Sequence, residues 1–565
     1  MERRITHIAA ILMLLPLMWV LFACGDFVES SDNNIGGATA VSGYLNEGAA
    51  VIMSATATST EPIQPPVINA ITTDVPMPAG INDVLKAYVN SEASEEQGLV
   101  FTLSTDVKSK GEVIWQGDWI YVVVGAFPMI EDDISIDAIR TLWKTEQAPG
   151  LFTQLFVAES ELDLLTALWG KPGPMVTPAQ SDMITQKLWN HKESIAIIPF
   201  DRINPRMKVL AIDGVSAVEK GLAFQEYLLK VTYVVAQENT NKIISSELST
   251  SIQELPATNR DEEKMTILMM TGVTALVRET AYKMSMQGAT YPGEKIAEWF
   301  EAVDIRHISN EVPFYSECPD PDPPWSGSRF CSPVEFISLF DSLNIDVVEL
   351  TGNHLLDYGV DAFLQNLDLY IEKGYQVYGG GSNTESAREA LLIEDHGNRI
   401  AFVGCNEPGP ESVFATDNEP GTASCEMEWL LPAISALKQE GYLVVVTFQH
   451  YEACQYEPMS LQKVDFQAAA EAGAVIVSGS QSHCTQTMTF IGDSFVHYGL
   501  GNLFFDQMWS FYRPEFIDQH VFYNGEYINT VLKTAILEDA SQPRPMTVEE
   551  RRALLQSVME VCEWE

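Results

Sequence analysis

The sequence predicts a chain of the α/β class with two folded regions, and three observations lead there. At 565 residues it is too long for a single core. Apolar strand-like runs alternate with helical ones over most of its length, the pattern of largely covered sheets. Each cluster of polar, chemistry-bearing residues follows directly on an apolar run, as at the carboxyl edge of an open sheet.

Taken in order, residues 1–24 read as an export signal. "MERR" is a positive start, "IAAILMLLPLMWVLF" an apolar core too short to span comfortably, and "LFAC" a cleavage-like end. With cysteine at the junction this resembles a bacterial lipoprotein signal, although Phe22 is bulkier than that box usually carries. The resemblance implies a lipid on Cys24 and a mature protein tethered outside the cytoplasmic membrane. Residues 25–75, rich in Ser, Thr, Ala, Asn, Gly and Pro, read as a flexible stalk. From 76 to 240, "GLVFTL" and "DWIYVVVGAF" read as strands and "ISIDAIRTLW" and "ELDLLTALW" as amphipathic helices, a smaller α/β domain. Its "SIAIIPFD" and "ISIDAIRTLW" runs resemble lobes of periplasmic solute-binding proteins of the phosphate-binding type. Residues 241–262 are polar and read as a linker.

The second domain, 263–540, opens on the strand "KMTILMMTG". It continues through "NIDVVEL", a helix "GVDAFLQNLDLYIEKG" and a hairpin "ALLIED-HGNR-IAFVGC". A helix "WLLPAISALKQEG", a strand "YLVVVTF", a helix "KVDFQAAAEAG" and a strand "AVIVSG" follow. Residues 541–565 read as a helical tail.

Seventy-eight acidic residues against 33 basic ones give a formal charge of −45. Such a surface repels phosphate backbones, which excludes nucleic acid as a partner. Solubility accounts for the charge, with a role in gathering divalent cations as the alternative. Export makes disulfides available. Of eight cysteines, seven remain if Cys24 is acylated. Cys318 and Cys331 bracket a Pro-rich loop, as Cys405 and Cys425 bracket another; Cys454 and Cys484 are left as a pair, with Cys562 the odd one.

Five clusters stand after apolar runs: "TGVTALVR" (271–278), "SNEVPF" (309–314), "TGNHLLDYG" (351–359), "QHYEAC" (449–454) and "SGSQSHCTQ" (478–486). They supply Thr271, Asn310, Glu311, Asn353, His354, Asp357, His450 and His483, joined by Asn502 of "GLGNLFFD". Oxygen and imidazole donors from separate strand ends suit a divalent ion, which would acidify a bound water while a nearby imidazole served as acid. Each residue alone is equally well a cap, a turn former or a hydrogen-bonded core group.

Order and spacing add a resemblance. "NEVPF", "VVELTGNHLLDYG", "YGGGSNTESAREA", "VVVTFQHYEACQYEP", "AEAGAVIVSGSQSHCTQ" and "FVHYGLGNLFFD" resemble the CapA family of capsule and poly-γ-glutamate biosynthesis proteins, within the calcineurin-like metallophosphoesterases. The resemblance spans about 264–508 and implies a layered metallophosphoesterase-like α/β domain. It implies Glu311, Asn353, His450 and His483 around a divalent ion (Mn, Zn or Mg), His354 as the acid, and a capsular or cell-surface polymer as partner. Two departures count against full retention: Val273 stands where the family has aspartate, and Ser480 where it has a first histidine. They argue against a two-metal centre and leave either a single-metal hydrolase site or a polymer-binding groove without catalysis. The remaining alternative is a solute-binding lipoprotein acting through its N-terminal domain.

Overall fold

The computed structural model describes residues 66–90, 98–109, 111–145, 151–321, 327–562 and 564. The signal with Cys24, and the stalk as far as residue 65, lie outside the described residues. Among the described residues no helix is long and apolar enough to cross a membrane.

Residues from Pro65 to Glu565 form one compact unit built of two lobes. The N-terminal lobe is a mixed sheet around the long strand Glu112–Ala126, whose run from Ile120 to Val124 is fully buried. That strand pairs antiparallel with Lys230–Gln237, Ser194–Pro199 and Met207–Ile212. Gln154–Ala158 lies parallel to both Ser194–Pro199 and Val176–Ala179. The helix Ile136–Lys144 starts where Ser135 Oγ accepts from the Ala138 amide (3.2 Å), and it buries Ile139, Leu142 and Trp143.

Two expected boundaries shift. The end of the stalk is part of the fold: Val67–Ile68 pairs with Ile243–Ile244, and Ile68 and Ile71 are buried. The 241–262 segment is structure rather than linker. It holds the helix Ser246–Gln253, which buries Leu248 and Ile252, and the wholly buried Arg260. Arg260 donates through Nε to Ala217 O (2.6 Å) and through Nη2 to Glu219 O (2.5 Å), so polar composition here serves internal bonds.

The C-terminal lobe has four layers. One sheet runs in the order Gln376–Tyr378, Val347–Glu349, Ile305–Asn310, Met265–Thr271, Pro514–Tyr523, Glu526–Glu538 and Gln542–Pro545. Its first four strands are parallel, and the last three add an antiparallel extension. The second sheet runs in the order Leu391–Asp395, Asn398–Asn406, Leu443–Gln449, Ile476–Ser480, Ser494–His497 and Met488–Ile491. Strand alternation divides the side chains cleanly. Leu268, Met270, Ile305 and Val347 of the first sheet meet Phe402, Val445, Ile476 and Phe495 of the second in one core. On the outer face of the second sheet, Val444, Val446, Phe448 and Val477 pack on Leu430, Ile434 and Phe466 of the helices Met427–Gln439 and Ser460–Ala472. The first sheet's outer face packs Ile308, Val348 and Leu350 among Phe363 and Tyr370 of the helix Val360–Lys373. The tail folds as the helix Val548–Glu560, whose Arg551 bonds Asp132 of the N-terminal lobe through Nε (2.7 Å) and Nη2 (2.8 Å).

Candidate functional site

Because the parallel strands of both sheets run the same way out of the sandwich, the loops that follow them gather at one rim. Two glycines make that gathering sterically feasible. A Cβ on Gly272 would collide with Gly501 O, and one on Gly352 would lie 2.6 Å from Glu311 Cα. The turn after Met265–Thr271 thus touches the backbone just before the strand Asn502–Phe504, and the loops after Ile305–Asn310 and Val347–Glu349 touch each other.

Within the rim, Glu311 is held by its own amide, which donates to Thr274 O (2.9 Å), and its side chain is buried. The centre is the amide group of Gln449. Its Nε2 donates to Asn353 Oδ1 (3.0 Å), reaches Glu311 Oε1 (3.4 Å) and makes a close contact with Gln481 Oε1. His483 completes the group, with Nε2 3.9 Å from Glu311 Oε1. Asn502 fixes the ring: its Nδ2 donates to Gln507 Oε1 (3.0 Å), so its Oδ1 accepts from His483 Nδ1 (2.9 Å). The proton therefore sits on Nδ1 and the other nitrogen faces the pocket.

His354 stands at the mouth, about a quarter exposed. Its Nδ1 donates to Asp357 Oδ2 (2.8 Å), which also accepts from the Phe330 amide (2.7 Å), and Phe330 meets the ring edge-on at 4.8 Å. Burial would lower its pKa, but the bond to Asp357 and the charges of Glu311 and Asp357 outweigh burial and raise it above the ordinary histidine value. Protonation at the mouth of the pocket is thus favoured relative to an ordinary histidine.

His450 does not join this group, although the resemblance makes it a ligand. Its Nε2 bonds Asp465 Oδ2 (2.9 Å) on the helix Ser460–Ala472, and its Nδ1 has no hydrogen-bond partner among the described residues. Burial is the main cause of its lowered pKa. The physical reason is the strand period: Gln449 ends the strand on the face toward the first sheet, so His450 turns to the helix face. Two further expected site residues serve the framework. Thr271 Oγ1 donates to His307 O (3.1 Å), and Asn310 Nδ2 donates to Val312 O (2.6 Å) and Tyr370 Oη (2.8 Å).

Sequence reasoning missed Gln449, Gln481 and Arg278. Arg278 lies in the quoted 271–278 cluster and binds Asp506 through Nε (3.0 Å), with its guanidinium 4.7 Å from the Phe505 ring centre. Val273 packs with Ala275, Val277, Val312 and Phe505, and Ser480 Oγ donates to Phe448 O (3.4 Å). The cysteines pair as Cys318–Cys331, Cys405–Cys425 and Cys454–Cys484, the last joining the loops of Gln449 and His483. The Cys562 thiol bonds Met488 O (2.9 Å).

The donor set fits a transition-metal centre poorly. Glu311 is its one carboxylate and His483 its one inward imidazole, while the oxygens of Asn353 and Gln481 point at an NH2 group, which a cation would repel. A different group, Asp304, Asp395 and His396, brings its ligand atoms within 4.8 Å of one another. It lies at the opposite end of the strand Ile305–Asn310, roughly 20 Å away by strand length. Lys220 already occupies it through an ion pair with Asp304 (3.1 Å).

Residues 267–507 match the sequence profile described as "Bacterial capsule synthesis protein PGA_cap". The chain is 24% identical over 307 residues to the "Capsule biosynthesis protein CapA" of Bacillus anthracis, an alignment covering 53% of this chain and 74% of that one. It is 26% identical over 193 residues to the "PGA biosynthesis protein CapA" of Bacillus subtilis (strain 168), covering 34% of this chain and about half, 51%, of the relative. Among solved structures, a 5'-nucleotidase precursor from Thermus thermophilus overlaps at TM-score 0.32 and 12% identity, over 53% of this chain and 60% of its own. An ABC-type phosphate transport receptor from Vibrio cholerae overlaps at TM-score 0.26 and 10% identity, over 33% of this chain and 92% of its own. By its 267–507 region the chain is similar to the CapA family of bacterial capsule synthesis proteins.

Proposed function

We propose that this protein works in the biosynthesis of a capsular or poly-γ-glutamate-type extracellular polymer, and that its C-terminal lobe contributes a polymer-binding pocket rather than a hydrolytic metal centre. The names of its relatives support the pathway. One observation carries the reading of the pocket: the Gln449 NH2 group engages the oxygens of Asn353 and Gln481, which a cation would need for itself. What remains accessible is the raised, Asp357-supported imidazole of His354, suited to an anionic or hydroxyl group on a polymer. The pocket's amides suit hydrogen bonding to polymer amides or hydroxyls. We place the protein outside the cytoplasmic membrane, held by lipid on Cys24.

Elemental analysis of the purified full chain, followed by diesterase assays with added manganese, tests the pocket. Substoichiometric metal and no turnover are expected. Stoichiometric metal with hydrolysis that His354→Ala abolishes would overturn the non-catalytic reading. Palmitate labelling lost in Cys24→Ala tests the anchor.

A further inference from the structure

The pocket has a neighbour of different chemistry. Asn502, which orients His483, donates through Nδ2 to Gln507 Oε1 (3.0 Å) and to Tyr512 O (3.5 Å), so the 507–512 loop is fastened to the pocket wall. That loop is aromatic and uncovered. Trp509 is 72% exposed and Phe511 55%. The two rings are kept in place by aromatic partners, Trp509 by Tyr512 at 5.6 Å between ring centres and Phe511 by Tyr456 at 6.0 Å. Tyr451, next to His450 on the loop bridged by Cys454–Cys484, is also exposed. Large aromatics left in water at the edge of a polar pocket are costly unless something covers them in use.

We propose that this aromatic rim and the amide pocket together bind an uncharged stretch of polysaccharide, a proposal that rests on the polymer-binding reading above and names its ligand class. A pyranose ring has apolar C–H faces and a hydroxyl edge. Trp509 and Phe511 offer flat apolar surfaces that lose little rotamer freedom on contact. The partly exposed Asn353 and His354 offer polar groups for hydroxyls, backed by the buried Gln449, Gln481 and Glu311 behind them. Charge favours a neutral ligand. Glu457 is paired with Lys463 and Asp506 with Arg278, while Glu452 adds a negative charge near Tyr512, on a chain of formal charge −45. A polyanion such as poly-γ-glutamate, or an anionic bilayer, gains little attraction there.

Calorimetric titration of the full chain with a panel of neutral oligosaccharides tests the assignment, alongside poly-γ-glutamate and phosphatidylcholine–phosphatidylglycerol vesicles. At least one neutral oligosaccharide is expected to bind with an affinity that hardly changes with salt. Trp509→Ala and Phe511→Ala, both surface changes checked by circular dichroism, should each weaken it by about tenfold or more, as for exposed aromatic anchors generally. Vesicle binding that Trp509→Ala removes, with no oligosaccharide bound, overturns the proposal in favour of a membrane contact. Salt-sensitive binding of poly-γ-glutamate that needs His354 but not Trp509 overturns the polysaccharide assignment and leaves the polymer reading standing. No binding of any oligosaccharide or of poly-γ-glutamate overturns both.

Discussion

His354 and His450 make a natural experiment within one molecule. Each lies in a loop after a strand of the sandwich, and each has a ring nitrogen on one aspartate, at 2.8 Å to Asp357 and 2.9 Å to Asp465. Their pKa values move in opposite directions, His354 upward and His450 downward. The aspartate is common to both, so the difference lies in the surroundings. His450 is wholly buried against Phe466, and burial there outweighs the single carboxylate. His354 keeps partial access to water and has Glu311 as a second negative neighbour. A shared partner does not make a shared role: one pair is a device of the pocket, the other a device of the core.

The largest effect that would break this contrast is on stability. His450→Ala leaves Asp465 under the rim without its partner, and a loss of about 3 kcal/mol is expected in urea unfolding, with polymer binding preserved in the folded fraction. Equal loss of binding would return His450 to the pocket. His354→Ala should do the reverse, changing stability by about 1 kcal/mol or less while abolishing binding; a destabilisation as large as that of His450→Ala would make both residues structural. Asp357→Asn sharpens the contrast further, because removing the main support of the raised pKa should move the His354 titration downward in an NMR pH series and weaken binding several-fold. No movement of that resonance would mean that Glu311, not Asp357, sets the charge at the mouth.

The smallest effect is in the pH dependence, where the two signs are opposite. The raised His354 gives stability that is fully present below the unfolded-state value of 6.5 and is lost as pH rises through its higher folded value. The lowered His450 gives the opposite: its contribution is complete above 6.5 and is lost as pH falls toward its lower folded value. Urea midpoints measured on either side of pH 6.5 should therefore respond with opposite slopes to His354→Ala and His450→Ala. Parallel slopes would erase the comparison.

Much of the architecture is legible because buried parallel strands are written as continuous apolar runs. "YLVVVTF" and "AVIVSG" correspond to Leu443–Gln449 and Ile476–Ser480, and the hairpin at 391–406 pairs Asp395 with Asn398 as its turn residues suggest. The antiparallel extension Pro514–Tyr523 with Glu526–Glu538 is not, since polar Asp518, Gln519 and His520 interrupt its apolar pattern although all three are buried. At the pocket, the loops are visible and the frame is not. A strand's two faces alternate residue by residue, so whether Gln449 or His450 enters depends on a single position that composition does not mark. The same limit hides Arg260: a polar stretch looks like linker until its donors are seen to meet the carbonyls of Ala217 and Glu219.

The ladder joining the lobes bears on how they move relative to each other. Arg551 grips Asp132, Asp132 also takes Lys208 at 2.8 Å, and Asn529 Nδ2 donates across to Met207 O at 2.8 Å. With Asp132 half exposed, its ion pairs contribute about 1 kcal/mol or less each, so the seam sets the register of the two lobes more than it locks them.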